Sequence, residues 1–249
     1  MEIVADDAKA FKQAIDAIVN LVDEGTFEVS GQGMHLRSMD PSQIAMVDFI
    51  LPKDAFSKLE VPGEAASLSV NLVDLSKILA RARSDEKLVI SLDEKENKFV
   101  LEFIGKSKRY FRVPLMDLNA AVPREPKIPF DASIKIKGGA FKEMLKDAGL
   151  LSSHVILQAH DAEFVVEAHG DSGDLKIETP KDGEMIAEFK ASSKSRAMFP
   201  FEYLDDIMRS CPEEEPVTIE LKTDAPIKIS YCVGKARLSY FLAPRVEQA

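Results

Sequence analysis

The chain has 249 residues, 45% of them apolar, and carries 42 acidic against 32 basic side chains for a formal net charge of −10. That composition excludes wholesale disorder. No apolar run reaches the ~18–20 residues of a membrane helix, and the opening MEIVADDAKAF has no secretory signal. Two cysteines rule out a disulfide scaffold. Taken as a whole, the acidity argues against a nucleic-acid partner, because phosphate binding wants Lys and Arg.

In chain order, the first predicted helix covers about 7–23, with Phe11, Ile15, Ile18, Val19 and Val22 on one face and Lys9, Lys12, Gln13, Asp16 and Asn20 opposite. A second, about 71–83, sets Leu72, Leu75, Ile78 and Leu79 against Asp74, Lys77, Arg81 and Ser84. LVISL and KFVLEF then flank the charged turn DEKEN at 93–97. MDLNAAVPREPKIPFD (116–131) has prolines at 123, 126 and 129 and reads as an extended connector, since proline blocks helix interiors and sheet ladders. A third helix, about 139–149, buries Phe141, Met144 and Leu145 and shows Lys142, Glu143 and Lys146. HVILQAH and EFVVEAH make a hairpin around Asp161-Ala162. A fourth helix, about 200–210, sets Phe201, Leu204, Ile207 and Met208 against Glu202, Asp206 and Arg209. VTIEL and IKISY close the series around TDAP at 223–226.

This order of elements occurs twice. AFK stands at 10–12 and again at 140–142. LSKILARARSDEKLVISL (75–92) overlies LDDIMRSCPEEEPVTIEL (204–221) without a gap, with Leu75/Leu204, Ile78/Ile207, Glu86/Glu215, Ile90/Ile219 and Leu92/Leu221 identical. RYFRVP (109–114) overlies SYFLAP (239–244). Three matches in the same order at offsets of 129 or 130 indicate two copies of one domain. The predicted division is 1–116, a connector at 117–131, and 132–249. Many short strands with four helices make the fold class α+β with mainly antiparallel sheet.

Catalytic motifs are lacking. GKS at 105–107 ends like a phosphate loop, but Val100 occupies the position of its first glycine. His160, Asp161, His169 and Asp171 are the best metal-like set, on the expectation that the hairpin brings the two histidines together. A polar strand end beside a solvated turn is the blander reading and the favoured one. Cys211 and Cys232 read as packing residues.

GMHLRSMDPSQIAMVDFIL (33–51), NLVDLSKIL (71–79) and YFLAPRVE (240–247) resemble the proliferating cell nuclear antigen family of DNA sliding clamps, over essentially the whole chain. The compact connector and short C-terminal end look archaeal. The resemblance implies a clamp fold and a homotrimeric ring around double-stranded DNA, with twelve helices lining the hole and sheets outside. It implies no catalysis, cofactor, metal or membrane. Its partners would be DNA polymerase, the clamp loader, flap endonuclease and DNA ligase, and its place the cytoplasm with the nucleoid, or the nucleus in a eukaryote. Lys12, Lys77, Lys146 and Arg209 match the family's basic positions toward DNA. Lys9, Arg81 and Lys142 join them as residues of the same helix faces, whereas Val19 and Ala80 stand where lysine often occurs.

By the same resemblance, partner peptides would dock on Met39, Gln43, Ile44, Met46, Pro226, Ala243 and Pro244, rimmed by Val122 and Pro123. The strand around Lys108–Val113 would pair with the strand around Asp174–Thr179 of the next subunit, through Lys108, Arg109, Tyr110 and Arg112 against Asp174, Lys176 and Glu178. The charges agree with that pairing. KSKRYFR (106–112) holds four bases and no acid, and DSGDLKIE (171–178) three acids and one base. Membership of a heterotrimer is an alternative reading, and a metal-dependent enzyme at His160 and His169 a distant one. Acid concentrated in DEKEN and in PEEE (212–215), expected to face outward, leaves room for a basic DNA face within an acidic chain.

Overall fold

A computed structural model describes residues 1–118 and 122–245. The first copy runs β1 (Glu2–Ala5), α1 (Ala8–Val19), β2 (Glu24–Ser30), β3 (Gly33–Met39), β4 (Ala45–Pro52), a single 3₁₀ turn, β5 (Lys58–Glu60), β6 (Ala65–Asn71), α2 (Leu72–Leu79), β7 (Lys87–Asp93), β8 (Lys98–Ile104) and β9 (Lys108–Pro114). The second runs β10 (Ala132–Lys137), α3 (Gly138–Gly149), β11 (His154–His160), β12 (Glu163–Gly170), β13 (Gly173–Pro180), β14 (Ile186–Ala191), β15 (Ser195–Pro200), α4 (Phe201–Arg209), β16 (Pro216–Leu221), β17 (Ile227–Val233) and β18 (Ala236–Leu242). Apart from the 3₁₀ turn, the order of strands and helices is the same in the two lists, as the repeat predicts.

Sheet order repeats as well. The first copy contains the runs β5-β1-β7-β8-β9 and β4-β3-β2-β6; the second contains β14-β10-β16-β17-β18 and β13-β12-β11-β15. The chain forms two compact units, one of Met1–Pro41, Val47–Pro123 and Val233–Leu238, the other of the remaining segments.

Each helix forms because its apolar residues recur at helical spacing and meet a sheet. Phe11, Ala14, Ile15 and Ile18 of α1 are buried, as are Phe141, Met144, Leu145 and Ala148 of α3. Phe11 and Phe141, the aromatics of the duplicated AFK, are 3% and 0% exposed. Within the units, α1 packs beside α2 and α3 beside α4. Val19, assigned to the apolar stripe, is only half-buried because α1 ends there. α1 and α2 end earlier than predicted, whereas α3 and α4 end within a residue of the prediction. In α1 the N–H groups of Leu21 and Val22 both turn back on the Ile18 carbonyl, at 3.1 Å, which closes the helix. In α2 the Ala82 N–H donates to Leu79, tightening the last turn in the same way.

The starts of α1 and α3 share one backbone bond, from the first N–H of the helix to a distant glutamate carbonyl, and otherwise differ. The Asp7 carboxylate accepts from Lys9 N–H and Ala10 N–H, a side-chain N-cap, and Ala8 N–H donates to the Glu86 carbonyl at 3.0 Å. α3 has no side-chain cap. Gly138 N–H donates instead to the Glu215 carbonyl and Gly139 N–H to the Glu213 carbonyl, both at 2.8 Å. A Cβ at Gly138 would stand 2.6 Å from the Pro212 carbonyl oxygen, so only glycine admits this approach. The stretch PEEE therefore lies at the positive end of a helix dipole, where carboxylates are stabilised.

Candidate functional site

Three sets of residues are candidates: the polar helix faces, two sheet edges, and the segments around 39–46 and 226–244. On the first unit, Lys9 Nζ donates to Ser84 Oγ at 2.9 Å, tying the start of α1 to the turn behind α2. Lys12 pairs with Asp16, which also accepts from Ser76 Oγ at 2.9 Å. Lys77 bridges to Asp74 at 2.9 Å, with both side chains more than half exposed. Arg81 and Arg83 are exposed.

On the second unit the cations are held more closely. Lys142 Nζ donates to the carbonyls of Cys211 and Arg209. Lys146 bridges to Glu143 at 2.7 Å. That bond, followed by the fields of Glu213 and Asp205, holds the Lys146 pKa above the ordinary lysine value. Arg209 is gripped by Asp206 at 2.5 Å and Asp205 at 3.2 Å. Asp206 titrates above the ordinary carboxylate value, through burial first and then the negative fields of Asp205 and Glu202, against the pull of Arg209.

The strands predicted to meet other copies are both sheet edges. β9 ends one five-strand run and β13 ends the four-strand run β13-β12-β11-β15. On β9, Tyr110 and Arg112 project outward, Tyr110 being 52% exposed. Lys108 reaches Glu102 of the neighbouring strand at 3.1 Å, which raises its pKa. Arg109 turns the other way. Its guanidinium lies 2.6 Å from the Glu86 carboxylate, donates to the Arg81 carbonyl at 3.0 Å and sits over the Phe103 ring at 5.0 Å. On β13, Asp174 accepts from His169 at 2.8 Å and Lys176 pairs with Glu178. An open edge offers unpaired backbone groups to another strand, and charged edge residues restrict which strand can pair.

The nine residues predicted to receive partner peptides fall in both units. Met39, Val122 and Pro123 belong to the first, with Met39 37% and Val122 60% exposed. Gln43, Ile44, Met46, Pro226, Ala243 and Pro244 belong to the second. There the Ala243 N–H donates to the Ile44 carbonyl at 2.9 Å, holding the C-terminal strand end beside the 42–46 segment. Gln43 adopts φ 58°, a left-handed turn that lifts its side chain into solvent. Ile44, Pro226, Ala243 and Pro244 are half-buried, whereas Met46 is core at 3% exposure. In the connector, Glu125 bridges to Lys228 at 3.2 Å and the Pro129 carbonyl accepts from Lys222, so its C-terminal part is stitched to the second unit.

The predicted convergence of His160 and His169 does not occur. The β11–β12 register sets His160 opposite Glu163, so His169 stands six residues further along β12, roughly 20 Å away at the rise of a strand. A hairpin joins residues whose numbers sum to a constant, and these two do not. Among the described residues no group of three His, Cys, Asp or Glu side chains could hold a metal ion. Cys211 is buried, and burial above all pushes its thiol pKa up to about 12, so it is not a ready nucleophile. Sequence reading missed the Glu86–Arg109 pair, although the identity of Glu86 and Glu215 in the repeat pointed to that position.

The family profile described as "Proliferating cell nuclear antigen, N-terminal domain" matches residues 1–122, and that described as "Proliferating cell nuclear antigen, C-terminal domain" matches 125–246. A relative from Methanococcus maripaludis named "DNA polymerase sliding clamp" is 38% identical over 247 residues, covering 97% of each chain. Among solved structures, PCNA from Thermococcus kodakaraensis superposes with a TM-score of 0.91 at 28% identity, covering 98% of this chain and 99% of its own. A structure titled "C-terminal region of FEN-1 bound to A. fulgidus PCNA" superposes with a TM-score of 0.90 at 26% identity, covering 100% and 99%.

Proposed function

This chain belongs to the proliferating cell nuclear antigen family, and on that premise we propose that it is a DNA polymerase sliding clamp: a ring of three copies that encircles double-stranded DNA and docks replication and repair enzymes without catalysing a reaction. The domains are then 1–116 and 132–249, joined by the connector at 117–131.

One observation supports the ring more than any other. Among the six strands that end the sheets, β9 and β13 carry unlike charge. Pairing of unlike edges is heterologous, and heterologous contacts generate rings when the rotation closes. Lys108, Arg109, Tyr110 and Arg112 belong to one edge and Asp174, Lys176 and Glu178 to the other; Arg109 contributes through the strand it anchors.

Sliding requires attraction without sequence reading. Phosphates present a uniform track, and Lys and Arg side chains exchange them without contacting base edges. Lys9, Lys12, Lys77, Arg81, Lys142, Lys146 and Arg209 are the proposed contacts. Topology then retains the ring, and weak contacts keep friction low. Short peptides of DNA polymerase, the clamp loader, flap endonuclease and DNA ligase are the proposed ligands of the second surface. Met39, Ile44, Pro226, Ala243 and Pro244 would form its adaptable apolar wall and Gln43 a polar contact, with Met46 behind them and Val122 and Pro123 at the rim.

The test is mass and topology together. A chain of 27.5 kDa should scatter light as a trimer of about 82 kDa. Loaded on nicked circular duplex, it should survive a high-salt wash and leave when the circle is cut. A monomer that forms the ring only with another chain would instead favour a heterotrimeric clamp, and loss from the closed circle in salt would reject encirclement.

A further inference from the structure

Two short motifs recur at equivalent places in the two copies. β4 ends on Pro52, followed by Lys53-Asp54, and β13 ends on Pro180, followed by Lys181-Asp182, so PKD closes the same strand of each copy. The tips of the last hairpins match as well. Gly105-Lys106 follows Ile104 at the end of β8, and Gly234-Lys235 follows Val233 at the end of β17. The offsets are 128 for PKD and 129 for the Gly-Lys tips, in line with the rest of the repeat.

One tip meets one PKD inside the chain. Val233–Leu238, a second-copy segment, belongs to the first compact unit, where β18 is the sheet neighbour of β4. There Lys235 Nζ donates to the Asp54 backbone carbonyl and lies 3.6 Å from the Asp54 carboxylate. The tip thereby walls a cavity of about 380 Å³ that Phe11 of α1 and Phe56 also line. The other tip and the other PKD are unengaged. Lys106 and Asp182 are exposed, and among the described residues neither has a side-chain partner. Met185, three residues beyond Asp182, is 40% exposed. β9 corresponds to β18 and β13 to β4, but β9 and β13 each end a sheet.

Resting on the clamp reading above, we infer that the seam between copies repeats the join seen within the chain: Lys106 of one copy clasps Asp182 of the next, as Lys235 clasps Asp54. The partner is a second copy of this chain. Lys106 stands two residues before β9 and Asp182 two residues after β13. Antiparallel pairing brings the start of one strand to the end of the other, so a β9–β13 ladder carries the two residues together. The tip Ile104-Gly105-Lys106 is then laid against the segment holding Met185, as Val233-Gly234-Lys235 is laid against the segment holding Phe56. An exposed ion pair adds little binding by itself, but it fixes which end of β13 meets the start of β9.

The experiment follows trimer dissociation by mass photometry in a dilution series to nanomolar concentration. Lys106→Glu and Asp182→Lys should each raise the dissociation midpoint about fivefold, since each sets like charges together at every seam. The swap Lys106→Glu/Asp182→Lys should return it to within about twofold of wild type, because the pair is restored with its signs exchanged. A second arm places Lys106→Cys and Asp182→Cys on one chain in a Cys232→Ser background and adds a short bis-maleimide. Covalent dimers and trimers are expected on a denaturing gel, with monomer alone from either single cysteine. Single reversals that dissociate no more readily than wild type, a swap that does not rescue them, or monomer alone from the double-cysteine trimer overturns the clasp and leaves the ring standing. A wild-type chain that is monomeric at micromolar concentration overturns both.

Discussion

Asp48 sits 8% exposed on β4, between His35 Nε2 at 2.6 Å and Arg37 Nη2 at 2.7 Å on β3. Burial pushes its pKa up, but the hydrogen bonds from His35 and Arg37 outweigh that and leave it below the ordinary 3.8. A carboxylate whose pKa is lower folded than unfolded stabilises the fold fully above the unfolded value. That contribution is lost as pH falls through the folded value. Stability should therefore drop below about pH 4, and Asp48→Asn should lower it at pH 7 while making the acid decline shallower. Urea unfolding from pH 7 to pH 2.5 reads the difference; parallel curves for the two proteins would show that Asp48 has no part in it. Glu86 illustrates a different residue-scale point. Its backbone role, capping α1, is shared with Glu215 at α3, but its side chain meets Arg109, for which the repeat supplies Ser239 in the second copy. The same letter thus serves one common purpose and one private one.

Among the elements, helix faces were legible before the structure, as were the bounds of α3 and α4, but the early ends of α1 and α2 were not. Phe11, Ile15 and Ile18, or Phe141, Met144 and Leu145, recur every three or four residues, and that period needs no tertiary information. The hairpins around Asn97, Asp161 and Asp224 were legible too, and all three adopt positive φ, as turn residues of this kind tolerate. The capping of α3 was not. Its capping carbonyls come from Glu213 and Glu215, more than 70 residues away, so no local signal announces them. This gives a firm expectation for Gly138→Ala. The new methyl would meet the Pro212 carbonyl at 2.6 Å, Cys211 Sγ at 2.8 Å and the Glu215 carbonyl at 2.9 Å. Overpacking of that order costs about 1–3 kcal/mol, readable as a lower urea midpoint with an unchanged slope. Alanine's helix preference over glycine works the other way by about 1 kcal/mol, so a net gain in stability would show that the methyl is accommodated without strain.

For the whole molecule, the net charge of −10 first spoke against nucleic acid, and it is an average over unlike surfaces. β13 and the α4 region are acidic and β9 is basic, whereas α2 and the turn behind it balance three bases against three acids. In the proposed ring, like edges of β9 would repel and β9 would attract β13, so the charges would favour head-to-tail pairing. Exposed ion pairs contribute only about 0–1 kcal/mol each, but in the proposed ring one reversal would set a like charge against the acidic edge at all three interfaces. Arg112→Glu should accordingly shift the light-scattering mass toward monomer at sub-micromolar concentration, where the proposed wild-type ring would stay trimeric. An unaltered mass would mean that backbone pairing and apolar packing carry the interface without Arg112.

Duplication, element order, helix faces and the opposite signs of KSKRYFR and DSGDLKIE were all written in the sequence, because each depends on periods or charges within a few residues. Tertiary structure alone decided which charges stay free. It bound Arg109 to Glu86 across 23 residues and Lys9 to Ser84 across 75, and its strand register parted His160 from His169. Such pairings depend on burial and register between distant segments, and a side chain's partner, more than its identity, determines the charge it can offer to DNA or to a neighbouring subunit.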